Sequence, residues 1–238
     1  LLAVLSAGDH HEVRVLDAKT MGIEAFPEVP LGTVWPGMVA ASSGTCPVMI
    51  SVPDAPKDVF LLDVKTAALT PARKETRPEL EKIPKIDVEI TAVPAADGVE
   101  VPLIVYLPKN LQPGAKLPVI VKMHGGPASS SSVNWDPMRL FLMSKGYVFL
   151  EPNVRGSWGF GRAWEMADNG NDRMKSVEDM GAVGTWAAGQ PWADPGKLVV
   201  YGGSYGGYMV LMGLAFQSDI WAAGGDIVGV SSVRTLIG

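Results

Sequence analysis

Hydrophobic and polar positions follow two different patterns along the chain. In about the first eighty residues, short runs rich in Val, Leu and Ile are separated by turn-forming residues, which predicts β-strands joined by turns. Pro and charged residues then cluster over 71–85, and we interpret this cluster as a domain junction. Beyond it, extended runs alternate with segments of helical character. We therefore expect two domains, 1–80 and 81–238.

Two strand-and-turn units in the first part are similar to each other. Residues 13–20 read VRVLDAKT and residues 59–66 read VFLLDVKT, so five of eight positions are identical at an offset of 46 residues. A period of about 40–50 residues with several strands per repeat is typical of β-propeller blades. The Asp of each unit is expected to bond its own backbone in a hairpin turn. We interpret residues 1–80 as the C-terminal blades of a β-propeller; chance similarity of two such units is the alternative.

The second part predicts a series of strands and helices. Strands are expected over 101–107, 117–123, 147–150, 198–201 and 227–230, and helices over 137–144, 177–188 and from residue 205 onwards. Strands alternating with helices predict an α/β fold with a parallel sheet covered on both faces.

Residues 202–206, Gly-Gly-Ser-Tyr-Gly, match the G-x-S-x-G motif of a nucleophile elbow. A β-rich run leads into the motif and an apolar helix leads out, which is the context that the motif requires. The turn between them is so tight that Gly202 and Gly206 must lack side chains. The free N–H groups of the helix N-terminus would favour negative charge developing beside Ser204. Ser204 is therefore the candidate catalytic nucleophile, and a glycine-rich turn with an incidental Ser is the alternative.

The segment His124-Gly125-Gly126-Pro127 follows the strand predicted over 117–123. Hydrolases with a nucleophile elbow bind the oxyanion with one backbone N–H from this earlier loop and with the N–H of the residue after the nucleophile. That rule assigns the oxyanion hole to Tyr205 and to Gly126, or alternatively Gly125. An ordinary turn after a strand is the competing interpretation.

His124 is not expected to be the general base. In this kind of hydrolase the chain order is Ser, then acid, then His, and His124 precedes Ser204. We expect its ring to order the loop, with Gly125 and Pro127 as further supporting residues.

A second glycine-rich loop covers residues 153–161. Its order of glycines, G-x-x-G-x-G, differs from the dinucleotide-binding order, so we expect no nucleotide site. Arg155 in this loop either supports the pocket, binds a substrate carboxylate, or forms a structural ion pair.

Composition and charge argue against nucleic-acid binding, disulfide bonds and metal sites. The net charge of −5 comes without a run of Lys or Arg, so no nucleic-acid partner is expected. The single cysteine, Cys46, cannot form an internal disulfide and is expected to be a small buried residue. His10 and His11 are adjacent in a polar segment, and we interpret them as solvated rather than as metal ligands. We expect neither a metal nor a cofactor.

No membrane anchor is expected, because the longest apolar stretch, 207–216, is far below the roughly 18 residues that a span needs. The chain does not begin with Met, so a targeting segment could lie upstream. A cytoplasmic location is the expectation.

In combination, these stretches resemble the prolyl oligopeptidase family of serine peptidases, especially its acylaminoacyl-peptidase and dipeptidyl-peptidase-like branches. The resembling stretches are 124–127, 151–157, 159–161, 177–180, 201–208 and 225–229. The resemblance implies a β-propeller followed by an α/β-hydrolase domain. It also implies hydrolysis of short peptides through an acyl-enzyme at Ser204, with the propeller excluding folded proteins. An oligomer is possible on this resemblance and is not specified by it.

The chain departs from the family pattern in one respect. The 34 residues after Ser204 contain no histidine, since the three histidines are His10, His11 and His124. The resemblance places the triad acid and base further downstream and makes Asp226 a structural residue of the next strand. We therefore expect a fragment that lacks the triad Asp and His and is inactive alone.

Two alternative functions remain. One is an α/β-hydrolase esterase, although esterases usually carry a third glycine where this chain has Pro127. The other is a non-catalytic, propeller- and hydrolase-like binding protein. An Asp and then a His further along the chain would distinguish an enzyme from a binding protein.

Overall fold

The chain forms two compact units. The computed structural model describes residues 1–38, 42–73, 75–83 and 85–232. The first unit comprises the described residues of 1–83 together with 132–137, and the second comprises those of 84–131 and 138–238.

The first unit consists of two antiparallel sheets and a short helix. The three-stranded sheet has the order β1 (Leu2–Ser6), β2 (His11–Leu16) and β3 (Ile23–Ala25), and the four-stranded sheet has the order β4 (Thr33–Pro36), β5 (Thr45–Val52), β6 (Ala55–Asp63) and β7 (Leu69–Pro71). The helix α1 is Pro78–Glu81. The prediction of β structure over this part is confirmed.

The core of this unit is a small apolar cluster. It includes Val13, Val34 and Leu62, and Cys46 is completely buried in it, as the sequence predicts. The segment 132–137 joins the unit through its backbone. The Val133 N–H donates to the Asp9 carbonyl at 2.7 Å. The sequence did not predict that residues 132–137 belong to the first unit.

The two similar sequence units form the same turn. Asp17 Oδ1 accepts the N–H groups of the second and third residues after it, at 2.9 and 2.6 Å. Asp63 Oδ1 does the same at 2.8 and 2.9 Å. Four residues after each Asp, Met21 and Ala67 both have a φ of +59°. The prediction of Asp-bonded hairpin turns is therefore confirmed, at β2–β3 and at β6–β7.

His10 and His11 are only partly exposed, whereas the sequence predicts solvated side chains. Both rings are partly buried: His10 Nδ1 lies 2.6 Å from Asp9 Oδ1. His11 begins β2, and its Nδ1 accepts the Val34 N–H at 3.0 Å. Strand packing places the His11 ring against the Val34 backbone, a contact between residues 23 positions apart that the local sequence does not reveal.

A six-stranded mixed sheet forms the centre of the second unit. Its order is β13 (Ala223–Ile227), β12 (Ala193–Gly203), β10 (Leu117–Met123), β11 (Val148–Pro152), β9 (Glu100–Pro108) and β8 (Ile86–Pro94). The four strands from β13 to β11 are mutually parallel, whereas β9 and β8 are antiparallel additions. The predicted α/β class is confirmed.

Helices connect the parallel strands. They are α2 (Pro137–Ser144), α3 (Arg162–Glu165), a 3₁₀ turn (Gly170–Asp172), α4 (Met174–Ala188) and α5 (Tyr205–Phe216). The central strands are apolar on both faces, and β11 is buried at all five positions, as expected for parallel strands covered by helices. In α4 the buried Val177, Met180, Val183 and Ala187 follow helical spacing and face the core.

Several element boundaries differ from the sequence-based expectation. The strand expected over 198–201 is longer, since β12 is Ala193–Gly203. The last strand was expected over 227–230, but β13 is Ala223–Ile227. Val228 has a φ of +50° and leaves the extended region, while pairing with β12 holds two glycines, Gly224 and Gly225, in the strand. The helix α4 begins at Met174, three residues before the expected start.

A buried charged cluster connects α2 to the sheet. Arg139 of α2 is fully buried and donates from Nη1 to Glu151 Oε1 on β11 at 3.1 Å. Lys122 Nζ donates to the same oxygen at 3.3 Å, and the Tyr106 hydroxyl donates to Glu151 Oε2 at 3.4 Å. The Arg139 guanidinium also lies over the Tyr106 ring, 3.9 Å from its centroid. Glu151 therefore compensates a cation that water does not reach.

We expect Glu151→Gln to destabilise the protein by about 3–5 kcal/mol, because it removes the buried negative charge that the Arg139 and Lys122 cations both contact. Thermal unfolding of the full-length protein measures the effect. Glu89→Gln is the matched control, since Glu89 is exposed on β8. Equal melting temperatures for the two variants would contradict the role assigned to Glu151.

Candidate active site

Ser204 occupies the turn between β12 and α5. Its backbone has a φ of +56° and a ψ of −119°, a conformation that residues with a side chain rarely adopt. The Ser204 N–H donates to the Ile227 carbonyl of β13 at 2.9 Å, and the side chain is exposed. Strained backbone of this kind persists only where the surroundings enforce it, and it is concentrated at functional sites.

Two glycines make the turn possible. A Cβ on Gly202 would lie 2.5 Å from the carbonyl carbon and oxygen of Gly206. A Cβ on Gly206 would lie 2.3 Å from the carbonyl oxygen of Met123, the last residue of β10. Both distances are too short for any side chain, so the expected requirement for glycine at these positions is confirmed.

The loop after β10 lies beside Ser204. A Cβ on Gly125 would be 3.8 Å from the Ser204 Cβ. Gly126 has a φ of +125°, and a Cβ there would meet the Ala128 nitrogen at 2.8 Å. The Gly126–Pro127 peptide bond is cis. A cavity of about 300 Å³ opens at this point, lined by Gly126, Pro127, Arg173, Ser204, Tyr205, Tyr208 and Val230.

Two backbone N–H groups at this cavity are available to a ligand. Tyr205 is the first residue of α5, so its N–H has no acceptor within the helix. Among the described residues, the structure shows no protein acceptor for the Gly126 N–H. These are the two donors that the sequence assigns to the oxyanion hole, and that assignment stays a prediction.

The His124 ring bridges two loops. Its Nδ1 lies 2.7 Å from the Gly125 carbonyl oxygen, which can only accept, so Nδ1 carries the proton. Its Nε2 lies 2.7 Å from Ser157 Oγ. Burial lowers the pKa of His124. The Ser157 hydroxyl also donates to the Val154 carbonyl oxygen at 2.6 Å. The ring therefore connects the loop after β10 to the glycine-rich loop after β11.

Arg155 forms a structural ion pair. Its Nε and Nη2 donate to both oxygens of Asp179 on α4, at 2.6–3.1 Å, and its backbone N–H donates to Asp179 Oδ2 at 2.8 Å. Nη1 donates to Asp97 as well. Pairing with Asp179 raises the pKa of the Arg155 guanidinium above its ordinary value. Of the alternatives raised by the sequence, this geometry favours the ion pair, and Arg155 is outside the residues that line the cavity.

A polar network that the sequence did not indicate lies around the Tyr205 side chain. The Tyr205 hydroxyl accepts from Arg173 Nη1 at 3.0 Å, donates to Asp168 Oδ2 at 3.2 Å and lies 3.0 Å from Ser176 Oγ. Arg173 Nη1 also donates to Asp168. Burial raises the pKa of Asp168, and the nearby Arg173 opposes that shift.

Space for Asp168 comes from Gly156. That glycine has a φ of +98°, and a Cβ on it would lie 2.5 Å from the Asp168 carboxyl carbon. A glycine-rich loop followed by an isolated Asp and Arg is the one signal in the sequence that points to this network, and it does not specify the partners.

Asp226 has structural contacts. Its Oδ1 accepts the Gly229 N–H at 2.9 Å and faces Gly207 of α5. The described part of the chain contains no group of three or more His, Cys, Asp or Glu side chains able to hold a metal ion. It also contains no helix with the length and apolar character that crossing a bilayer requires.

Comparison with known proteins identifies the family. The profile of the prolyl oligopeptidase family matches residues 133–237, which include the turn at Ser204. The chain belongs to the prolyl oligopeptidase family.

Similar members of the prolyl oligopeptidase family are much longer than this chain. Dipeptidyl aminopeptidase BIII of Pseudoxanthomonas mexicana is 31% identical over 218 residues, which cover 87% of this chain and 32% of that protein. Dipeptidyl peptidase family member 6 of Caenorhabditis elegans is 36% identical over 132 residues, covering 56% and 18%. The chain thus spans less than a third of the length of either relative.

Solved structures show the same fold. The acylaminoacyl peptidase of Pyrococcus horikoshii matches with a TM-score of 0.81 at 21% identity, covering 97% of this chain and 36% of that one. The mixed sheet and helices of the second unit are therefore an α/β-hydrolase domain, as the sequence predicts.

We expect Tyr205→Phe to lower stability by about 1–3 kcal/mol while leaving turnover per folded molecule nearly unchanged. The change removes a hydroxyl that contacts the buried Asp168, but it keeps the backbone N–H beside Ser204. Melting temperature and kcat, measured on the same full-length samples, separate the two effects. Tyr208→Phe is the control, because no hydrogen bond of the Tyr208 hydroxyl is found among the described residues. A Tyr205→Phe variant as stable as this control would contradict the role of the network.

Proposed function

We propose that the full-length protein is a serine peptidase that hydrolyses short peptides through an acyl-enzyme at Ser204. The observation that carries the proposal is the enforced positive φ of Ser204 at a strand-to-helix turn, with its side chain exposed beside a cavity. The peptidases named among the relatives support the same reaction class.

In this proposal Ser204 Oγ attacks the peptide carbonyl carbon while its proton passes to a histidine. The carbonyl oxygen gains negative charge, and the N–H groups of Gly126 and Tyr205 bind it. The N-terminus of α5 adds favourable dipole charge at the same point. The histidine then gives the proton to the leaving amine, and water releases the acyl group from Ser204.

The base and its orienting acid come, in this proposal, from residues of the full-length protein other than these 238. His124 is held by Gly125 and Ser157, and His10 and His11 belong to the first unit. Asp226 is engaged with the backbone of Gly229. The 238 residues alone are accordingly expected to be inactive.

We further propose that the first unit is the end of a β-propeller that limits access to short peptides. The strands β4–β7 form a four-stranded antiparallel meander, which is the number and arrangement of strands in one propeller blade. The matching turns after β2 and β6, 46 residues apart in the sequence, support a repeat of blade length.

In the full-length protein, Ser204→Ala is expected to abolish both peptide hydrolysis and labelling by an active-serine phosphonate probe. The variant keeps the turn and removes only the attacking oxygen. Ser231→Ala is the matched control, because it removes a hydroxyl from the same unit outside the cavity lining. Labelling of Ser204→Ala at the unmodified rate would exclude Ser204 as the nucleophile.

Gly126→Val is expected to lower kcat by about 10²–10³, the usual cost of losing one oxyanion donor. At a φ of +125°, a side chain would turn the N–H away from the cavity or clash with Ala128. Slow phosphonate labelling at Ser204 should remain.

Gly114→Val is the matched control for Gly126→Val. Gly114 has a φ of +78°, and a Cβ added to it would have no atom within 4 Å, so the control adds backbone strain away from the cavity. A normal kcat per folded molecule in Gly126→Val would contradict the oxyanion assignment.

A further inference from the structure

One charged side chain lines the cavity beside Ser204. Among the described residues that form its wall, Arg173 alone carries a charge, and the others are glycine, proline, valine, serine and tyrosine. The Arg173 side chain is 30% exposed, whereas Asp168, its counter-ion, is 1% exposed. The cation thus faces the cavity, and the carboxylate lies behind it.

Arg173 has an unused pair of donors. Its Nη1 serves both Asp168 and the Tyr205 hydroxyl. Within the described ranges, no acceptor is found for its Nε or Nη2. These two groups form the fork edge of a guanidinium, which matches the two oxygens of a carboxylate.

Arg155 shows what such an edge does in this same unit. Its Nε–Nη2 edge holds both oxygens of Asp179, while its Nη1 holds a second carboxylate, Asp97. The Arg155 guanidinium therefore binds two carboxylates at once. Arg173 has the Nη1 carboxylate in place, and its fork edge is open.

We propose that Arg173 binds a carboxylate of the peptide substrate through its Nε–Nη2 edge and makes acidic peptides the preferred substrates. The proposal rests on the proposed peptidase function of Ser204 and specifies the substrate class of that site. The side chains of Tyr205, Tyr208 and Val230 give the cavity wall apolar surface, and an ion pair beside apolar surface is stronger than one in bulk water.

Two parts of a peptide can supply this carboxylate. One is the side chain of an Asp or Glu whose own carbonyl Ser204 attacks. The other is the free C-terminal carboxylate of the residue that leaves. Arg173 would bind either carboxylate in the same way. The test peptides must therefore distinguish an acidic side chain from a free C-terminus.

The test uses two pairs of fluorogenic peptides with the full-length enzyme. The first pair has Glu or its neutral isostere Gln at the residue whose carbonyl is attacked. The second pair has Gln at that residue and either a free or an amidated C-terminus. The measured quantity is the ratio of kcat/KM within each pair, which does not depend on the amount of active enzyme.

We expect the acidic member of one pair to be preferred, and Arg173→Gln to reduce that preference by roughly 10- to 100-fold, the range for a charge-assisted hydrogen bond. The double variant with Asp168→Asn and Arg173→Gln guards against misfolding, since it removes both charges and leaves no buried carboxylate without its cation. Arg162→Gln, which removes an exposed arginine of α3, should leave both ratios unchanged.

Ratios near one for the unmodified enzyme, or ratios that neither Arg173 variant alters, would overturn the assignment of Arg173. If the enzyme then hydrolyses both members of a pair, and Ser204→Ala abolishes this hydrolysis, the proposed peptidase function still stands. Hydrolysis that survives Ser204→Ala would instead refute that function. The two failures are therefore distinguishable in one set of measurements.

Discussion

The contact between the start of α5 and the end of β10 constrains the whole site. The Gly206 backbone lies so near the Met123 carbonyl that no side chain fits between them. Because of this approach, the loop after β10, the turn at Ser204 and the N-terminus of α5 meet at one edge of the sheet. Ser204 with its positive φ lies at this edge, beside Gly126 and Tyr205. A looser helix would separate Ser204 from the two N–H groups that we assign to the oxyanion hole.

Buried arginine–carboxylate pairs hold the surroundings of this edge in place. Arg139 with Glu151 connects α2 to β11, and Arg155 with Asp179 connects the loop after β11 to α4. Arg173 with Asp168 lies beside the Tyr205 hydroxyl and the cavity. A buried pair is costly to break because the remaining partner keeps its charge. The first two pairs fix elements, whereas the third combines a structural contact with the guanidinium edge that we propose binds a carboxylate.

Sequence reasoning succeeded where the constraint is local. The elbow around Ser204 and the turns at Asp17 and Asp63 each depend on a few adjacent residues, and the structure has them as expected. Sequence reasoning was less successful where contacts between distant segments determine the structure. Pairing with β12 sets the bounds of β13, and strand packing partly buries the ring of His11. Asp168 and Tyr205 are 37 positions apart in the sequence, and no sequence motif predicts the contact between them.

The hydrogen bond from the Ser204 N–H to the Ile227 carbonyl affects the order in which the site is built during translation. The acceptor is synthesised 23 residues after the serine, so a nascent chain that ends before it cannot hold the serine peptide in its final geometry. At synthesis rates of about 5–20 residues per second, the delay is on the order of seconds, and the ribosomal exit tunnel extends it. The Ser204 backbone therefore reaches its final geometry only after β13 has paired with β12.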